Sequence, residues 1–222
     1  MTIFLILGLL GSFATGHYLG KRGRAAAIAG VLLGLAGVGI RLIFHYYPDI
    51  EWRWFPWEAY ADVRGAWWLG FSFLILGAGR WLMTNPRNRR AVTGLAAVLG
   101  VWGVFTTVAG AVYDPSWLTG APGRVGNCYQ TSDWSCGAAA AATLISREGV
   151  NAAEAEMARF CGSNPWQGTD EFMILRGLRR KLAGTGLRPI LIRTDLKGLR
   201  SLGRPAMAVV RHTWFVDHWV VV

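Results

Sequence analysis

The chain has 222 residues, 53% of them hydrophobic and only 16% charged, with 23 Lys/Arg against 13 Asp/Glu for a net charge of +10. The apolar excess excludes an ordinary water-soluble domain along the whole length. The basic residues of the first half fall in short clusters at the ends of apolar runs, without interleaved aromatics, which argues against a nucleic-acid partner.

Residues 1–113 carry ten Lys/Arg and four Asp/Glu between long apolar runs, and residues 114–222 carry thirteen and nine in a globular mixture. The chain therefore divides into a transmembrane region, 1–113, and a water-facing domain, 114–222, joined near YDPSWLTGAPGRVGN (113–127). Four apolar stretches, 2–20, 25–47, 66–83 and 91–113, approach the ~20 residues needed to cross a bilayer. Glycines such as Gly30, Gly34 and Gly37 suit close helix packing in lipid. Tyr46, Tyr47, Trp67, Trp68 and Trp81 stand near segment ends, where amphipathic rings prefer the headgroup layer. The first stretch has no basic region before its apolar core and no small-residue cleavage site, so it reads as a retained helix and not a removed signal.

Loop charge predicts orientation. Lys21, Arg22 and Arg24 mark the first connection, and Arg87, Arg89 and Arg90 the third; basic loops stay cytoplasmic. The second connection, 48–65, holds four acids against two arginines. That pattern places the N-terminus, the second connection and everything after residue 113 outside a cytoplasmic membrane. Trp52, Trp54, Phe55 and Trp57 are expected to dip into the outer interface. Arg41, His17 and His45 lie near segment ends, where snorkelling toward water accounts for them.

In the water-facing half, Cys136 opens the alanine-rich run CGAAAAATLISREG, with Gly149 as its stop. Asn151 and Glu154 form a capping-box pattern before a second helix. Thr169 is the expected cap of a third, with acids in its first turn and basic residues in its last. LRPILIRT (187–194) reads as a strand, DLKGLRSLG as a short helix, and RPAMAVVRHTWFVDHWVVV as two strands around a turn at 212–217. Helices followed by strands predict an α+β domain, helices packed on an antiparallel sheet.

Three residues suggest nucleophilic chemistry. A cysteine at a helix N-terminus meets the positive end of the dipole and unpaired N–H groups, which favour thiolate; Cys136 holds that position, and Gly137 leaves room for a substrate backbone. His218, before a buried strand, suits the base that takes a proton and returns it to a leaving amine. His212 is the rival base, set in the hairpin turn. Gln130 can add its amide N–H to the Cys136 backbone N–H in an oxyanion hole. Cys128 and Cys161 read either as buried thiols or, outside the cytoplasm, as a disulfide. Without a C-x-x-C pair no zinc site is expected, and no cofactor is called for.

Residues 125–222 resemble the bacteriocin-processing, double-glycine-leader peptidases of the papain-like cysteine peptidase superfamily. The motifs are Gln130, five residues, then Cys136-Gly137 and an alanine-rich helix; GVNAAEAEMARFCG; Gly168-Thr169 before a helix; LRPILIRTDLKGL; and Pro205-Ala206 leading to His218-Trp219-Val220-Val221. The resemblance implies a papain-like fold for 114–222, nucleophile Cys136, general base His218, oxyanion donor Gln130 and cleavage of a peptide or protein substrate after small residues through a thioester. Family members often sit in ATP-driven exporters; with no Walker A sequence here, a transporter partner would be a separate protein. The family's orienting aspartate lies beyond the histidine, whereas four residues follow His218 here, and Asp217 should face the opposite side of a strand. A longer chain, a Cys–His dyad or a backbone carbonyl would each account for that. Two other readings stay open: a noncatalytic leader-binding module, and a structural subunit of a membrane complex.

Overall fold

The computed structural model describes residues 2–211 and 217–222, and the chain divides into two compact units, Met1–Val108 and Ala109–Val222. The first six helices in chain order are α1 (Thr2–Lys21), α2 (Arg24–Tyr46), α3 (Pro48–Trp54), α4 (Tyr60–Val63), α5 (Ala66–Gly79) and α6 (Pro86–Val112). Within the first unit α1 and α2 both pack on α5. Glycine makes this possible: a Cβ on Gly16 would strike the α5 backbone at Leu74 and Ala78, and one on Gly77 would strike the α1 backbone at Phe13 and His17. Small residues thus let backbones meet where side chains would hold them apart.

Among the described residues, α2 and α6 are the helices long and apolar enough to cross a membrane. This corrects the expectation of four spans. The third expected span, 66–83, yields a helix of 14 residues, which at 1.5 Å per residue rises only about 21 Å against a ~30 Å hydrocarbon core. It then breaks into turns, with Trp81 N–H on Ala78 O and Leu82 N–H on Gly79 O.

The acidic second connection folds into α3 and α4 around a buried charge. Glu51 is fully buried and accepts from Tyr60 Oη at 2.6 Å and from Arg64 Nε at 2.9 Å. Its Oε2 also lies 2.7 Å from Arg64 Nη2 and 3.8 Å from Arg41 Nη1. Arg41 is therefore held inside the unit by an acid from the next connection and does not snorkel. Trp54 and Trp57 are exposed, but Phe55 stacks on Tyr60 with ring centres 4.7 Å apart.

The second unit holds α7 (Cys136–Arg147), α8 (Glu154–Cys161), α9 (Glu171–Lys181), α10 (Leu196–Ser201) and the strands β1 (Met207–Arg211) and β2 (Asp217–Val221). β1 and β2 pair antiparallel with Val210 opposite His218 and Val209 opposite Trp219. α7 packs on α8, α9 and β2. Its alanines 138–142 are all buried; with so little side chain on one helix, three partners can close around it. Gly149 ends the run at φ +80°, a left-handed position that glycine adopts at low cost.

The papain-like α+β expectation is not what the structure shows: the described residues are mostly helical, with a single two-stranded sheet. The missing strand is LRPILIRT. Residues 188–195 have no regular structure, and Ile190 and Ile192 are exposed. Pro189 lacks the N–H a ladder needs, and an apolar run without a partner strand has no backbone groups to pair with. Two caps also differ from expectation. Asp170, not Thr169, caps α9 by accepting from Met173 N–H at 2.8 Å. α8 begins at Glu154 behind Ala153, with no side-chain cap from Asn151.

Candidate active site

Cys136 is the first residue of α7 and is half-buried. The residue before it, Ser135, is fully buried, and its hydroxyl does not cap the helix. Ser135 Oγ instead donates backwards to Ser132 O at 2.8 Å. The first-turn N–H groups of an α-helix have no partner within it, and those of α7 receive no bond from the Ser135 hydroxyl. Such an end stabilises negative charge.

Gly137 serves a different neighbour from the one expected. It is buried, and a Cβ there would lie 2.7 Å from Thr169 Cβ and 3.2 Å from Ile174 Cδ1. The space over Gly137 is thus filled by Thr169 and by Ile174 of α9 and is not left for a substrate backbone. Thr169 is held on two sides: its Oγ1 donates to Ser163 Oγ at 2.7 Å, and its carbonyl accepts from Trp219 Nε1 at 2.9 Å. This gives the Gly168-Thr169 motif a physical role. Thr169 joins the residue after Cys136 to the residue after His218.

His218 is the second residue of β2, half-buried, with its strand packed against α7. Successive side chains leave a strand on opposite faces, so His218 shares a face with its cross-strand partner Val210, and Trp219 takes the face that meets Thr169. His212, the rival base, and the turn around it lie outside the described residues.

Gln130 is exposed, and its Nε2 donates to Ser132 O at 3.2 Å. That same carbonyl accepts from Ser135 Oγ and from Ser135 N–H at 3.3 Å. The amide side chain is therefore tied to the turn that leads directly into Cys136.

Cys128 and Cys161 are free, buried thiols, not a disulfide. Burial, with help from the Glu154 charge, pushes the Cys128 thiol up to about 11; burial pushes Cys161 up to about 12. Both are poor nucleophiles at neutral pH, since the thiolate is the reactive form. Cys161 Sγ and backbone press on Gly177 of α9, so this thiol fills the α8–α9 interface.

A groove of about 530 Å³ runs along Arg179, Leu182, Leu187 and Ile190, and another of about 350 Å³ along Leu196, Arg200 and Arg204. Neither includes Cys136, His218 or Gln130. That does not count against a peptide site, because extended peptides lie across sheet edges and shallow surfaces.

Sequence reasoning gave Glu154 a capping role and missed its buried one. It is fully buried and accepts from Gly120 N–H at 3.0 Å, Thr131 N–H at 2.9 Å and Thr131 Oγ1 at 2.7 Å. A signal was present. Glu154, Met157, Ala158 and Cys161 fall at i, i+3, i+4 and i+7, and all four are buried. A carboxylate on that stripe has to find donors inside the protein.

Searches against family models, curated proteins and solved structures returned no match for this chain. The likeness to the leader peptidases therefore rests on the motifs themselves.

Proposed function

We propose that the chain is a membrane-anchored cysteine peptidase. The observation that carries this reading is Cys136 at the uncapped start of a buried alanine helix that packs on the strand bearing His218. In the reaction, the Cys136 sulfur attacks the carbonyl carbon of a peptide bond. His218 takes the thiol proton and passes it to the nitrogen of the leaving amine as the C–N bond breaks. The Cys136 N–H and the Gln130 amide steady the oxygen that becomes negative. Water then opens the thioester: His218 accepts its proton as the oxygen bonds the carbonyl carbon, the C–S bond breaks, the proton returns from His218 to the Cys136 sulfur, and the carboxylic acid leaves. The motif resemblance favours small residues, such as glycine, before the cut, hence a leader or propeptide as substrate and a separate transporter as partner.

Membrane anchoring is supported by α2 and α6. Only 28% of the apolar window of α2 and 11% of that of α6 is buried within the protein. Leu32, Leu33, Val98 and Val101 stand exposed on them, surface that lipid would cover. Arg87, Arg89 and Arg90 at the start of α6 favour a cytoplasmic start and an extracytoplasmic exit for that helix; with α2 and α6 as the two spans, the 48–65 connection between them then lies on the cytoplasmic side, and its expected outer placement does not carry over. The peptidase unit then works on the outer side of the cytoplasmic membrane.

The test uses the detergent-solubilised full chain. A peptide electrophile with Gly-Gly at its reactive end should label Cys136 and spare Cys128 and Cys161. A fluorogenic peptide with Gly-Gly before the scissile bond should be cut by wild type and not by Cys136→Ala or His218→Ala. Equal labelling of the three cysteines, or cutting that survives Cys136→Ala, overturns the reading. Peptide binding without labelling or cutting would mark a noncatalytic binding module instead.

A further inference from the structure

We propose that Glu154 is a positioning residue that sets where Gln130 stands at the start of α7; the proposal rests on the peptidase reading above. Three donors converge on its fully buried carboxylate, and all are neutral: the backbone N–H of Gly120, the backbone N–H of Thr131 and the Thr131 hydroxyl. Its own backbone N–H returns a bond to Gly120 O at 2.8 Å. A Cβ on Gly120 would run into the carboxylate and into Tyr129 O, so the backbone there is closed around the acid.

The consequence lies one residue away. Thr131 follows Gln130 and is bound to Glu154 twice, through backbone and hydroxyl. The Gln130 amide reaches Ser132 O, which also takes both bonds from Ser135, the residue before Cys136. Residues 130–135 thus form a short closed turn, pinned at one end by Glu154 and at the other by the helix bearing the sulfur. Moving the carboxylate moves Gln130 relative to Cys136.

Glutamine cannot stand in for this acid. Glu154 Oε1 accepts from one backbone N–H and Oε2 from another. Whichever way a Gln amide is turned, its NH₂ faces an N–H, and one bond becomes a donor–donor clash. Glu154→Gln tests the idea at nearly constant shape, and Thr131→Ala is the milder variant, removing the hydroxyl bond alone. Thr131→Ser keeps both bonds.

The assay compares kcat and KM on the Gly-Gly fluorogenic peptide with the rate of Cys136 alkylation by iodoacetamide, for the full chain in detergent. Losing one oxyanion donor lowers kcat by about 10²–10³. Glu154→Gln should lose kcat on the scale of Gln130→Ala, with KM and alkylation within about twofold of wild type, since neither needs the oxyanion hole. In the Gln130→Ala background, Glu154→Gln should cost little more, because the group it positions is gone. Thr131→Ala should fall between, and Thr131→Ser should recover wild-type turnover. If the two losses multiply, or alkylation and kcat fall together, Glu154 is only a structural anchor and the proposal is wrong. Should Glu154→Gln fail to fold, the Thr131 pair decides by the same criteria. A wild type as inert as Cys136→Ala sinks the peptidase reading, and the positioning role with it, which is a different result from an active wild type with multiplying losses.

Discussion

Gly137→Ala tests the packing of Thr169 between the residue after Cys136 and the residue after His218. The added methyl carbon would lie 2.7 Å from Thr169 Cβ and 3.1 Å from its Oγ1, whereas carbon pairs settle near 3.5–4.0 Å, so about 1 Å has to open. Thr169 cannot simply turn away. Its branched side chain is stiff, its hydroxyl is engaged by Ser163, and its carbonyl carries the Trp219 indole. Overpacking of this kind costs about 1–3 kcal/mol. Replacing a helical glycine by alanine returns about 0.5–1 kcal/mol. The net loss should be about 0–2.5 kcal/mol, centred on ~1 kcal/mol or roughly a factor of 5–10 in the folding equilibrium. Turnover should suffer more if the displaced Thr169 carries Trp219 and with it the β2 backbone that bears His218, since a shift of about 1 Å at a reacting group can cost about 10²-fold. Denaturant titration of the solubilised chain, followed by tryptophan fluorescence, gives the first number, and peptide turnover the second. Gly94→Ala on α6 is the control, since nothing lies within 4 Å of its added carbon; it should be neutral or stabilising. A Gly137→Ala protein that matches this control in both measurements would refute the contact and the coupling drawn from it.

Three further outcomes are expected. Glu51→Ala removes the buried carboxylate beside Arg41 and Arg64 and should destabilise the first unit; a melting temperature in detergent within a degree or two of wild type would contradict that. The thiols of Cys128 and Cys161, raised from 9.0 to about 11 and about 12, predict a pH dependence. Above about pH 9 the unfolded chain gives up these protons and the folded chain keeps them, so stability should fall from about pH 9 to about pH 12; Cys161→Ala should flatten the upper part of that slope in a denaturant series. A reporter that functions only outside the cytoplasm, fused after Tyr113, should be active; activity confined to a cytoplasmic reporter at that position would reverse the orientation.

Much of the second unit was legible in the chain itself. The CGAAAAATLIS run forms α7 because alanine favours helix and its small side chains can be buried on every side. Gly149 and the basic last turn of α9 mark ends that local chemistry alone decides. The apolar character of α2 and α6 was likewise a matter of composition and length. These are all properties of residues within one or two helical turns of each other.

What depended on distant partners was not legible. LRPILIRT has the composition of a strand but is not one, because a strand is a property of two segments and this one carries Pro189 and meets no ladder. The third apolar stretch was read too long, since its turn is formed by backbone bonds that composition does not display. Glu154 and Glu51 looked like surface acids, one for a cap and one for an interfacial loop. Their donors come from 13 to 34 residues away, from 9 for Tyr60, and only folding brings them to the same point. Gly137 was read as space for a substrate, and tertiary packing gave that space to Thr169. Local preference specifies which residue opens a helix, such as Cys136 at the start of α7. That Gln130 is tied to Ser132, and Trp219 to a Thr169 packed on Gly137, is set by hydrogen bonds and close packing, whose energies belong to pairs of segments and not to either segment alone.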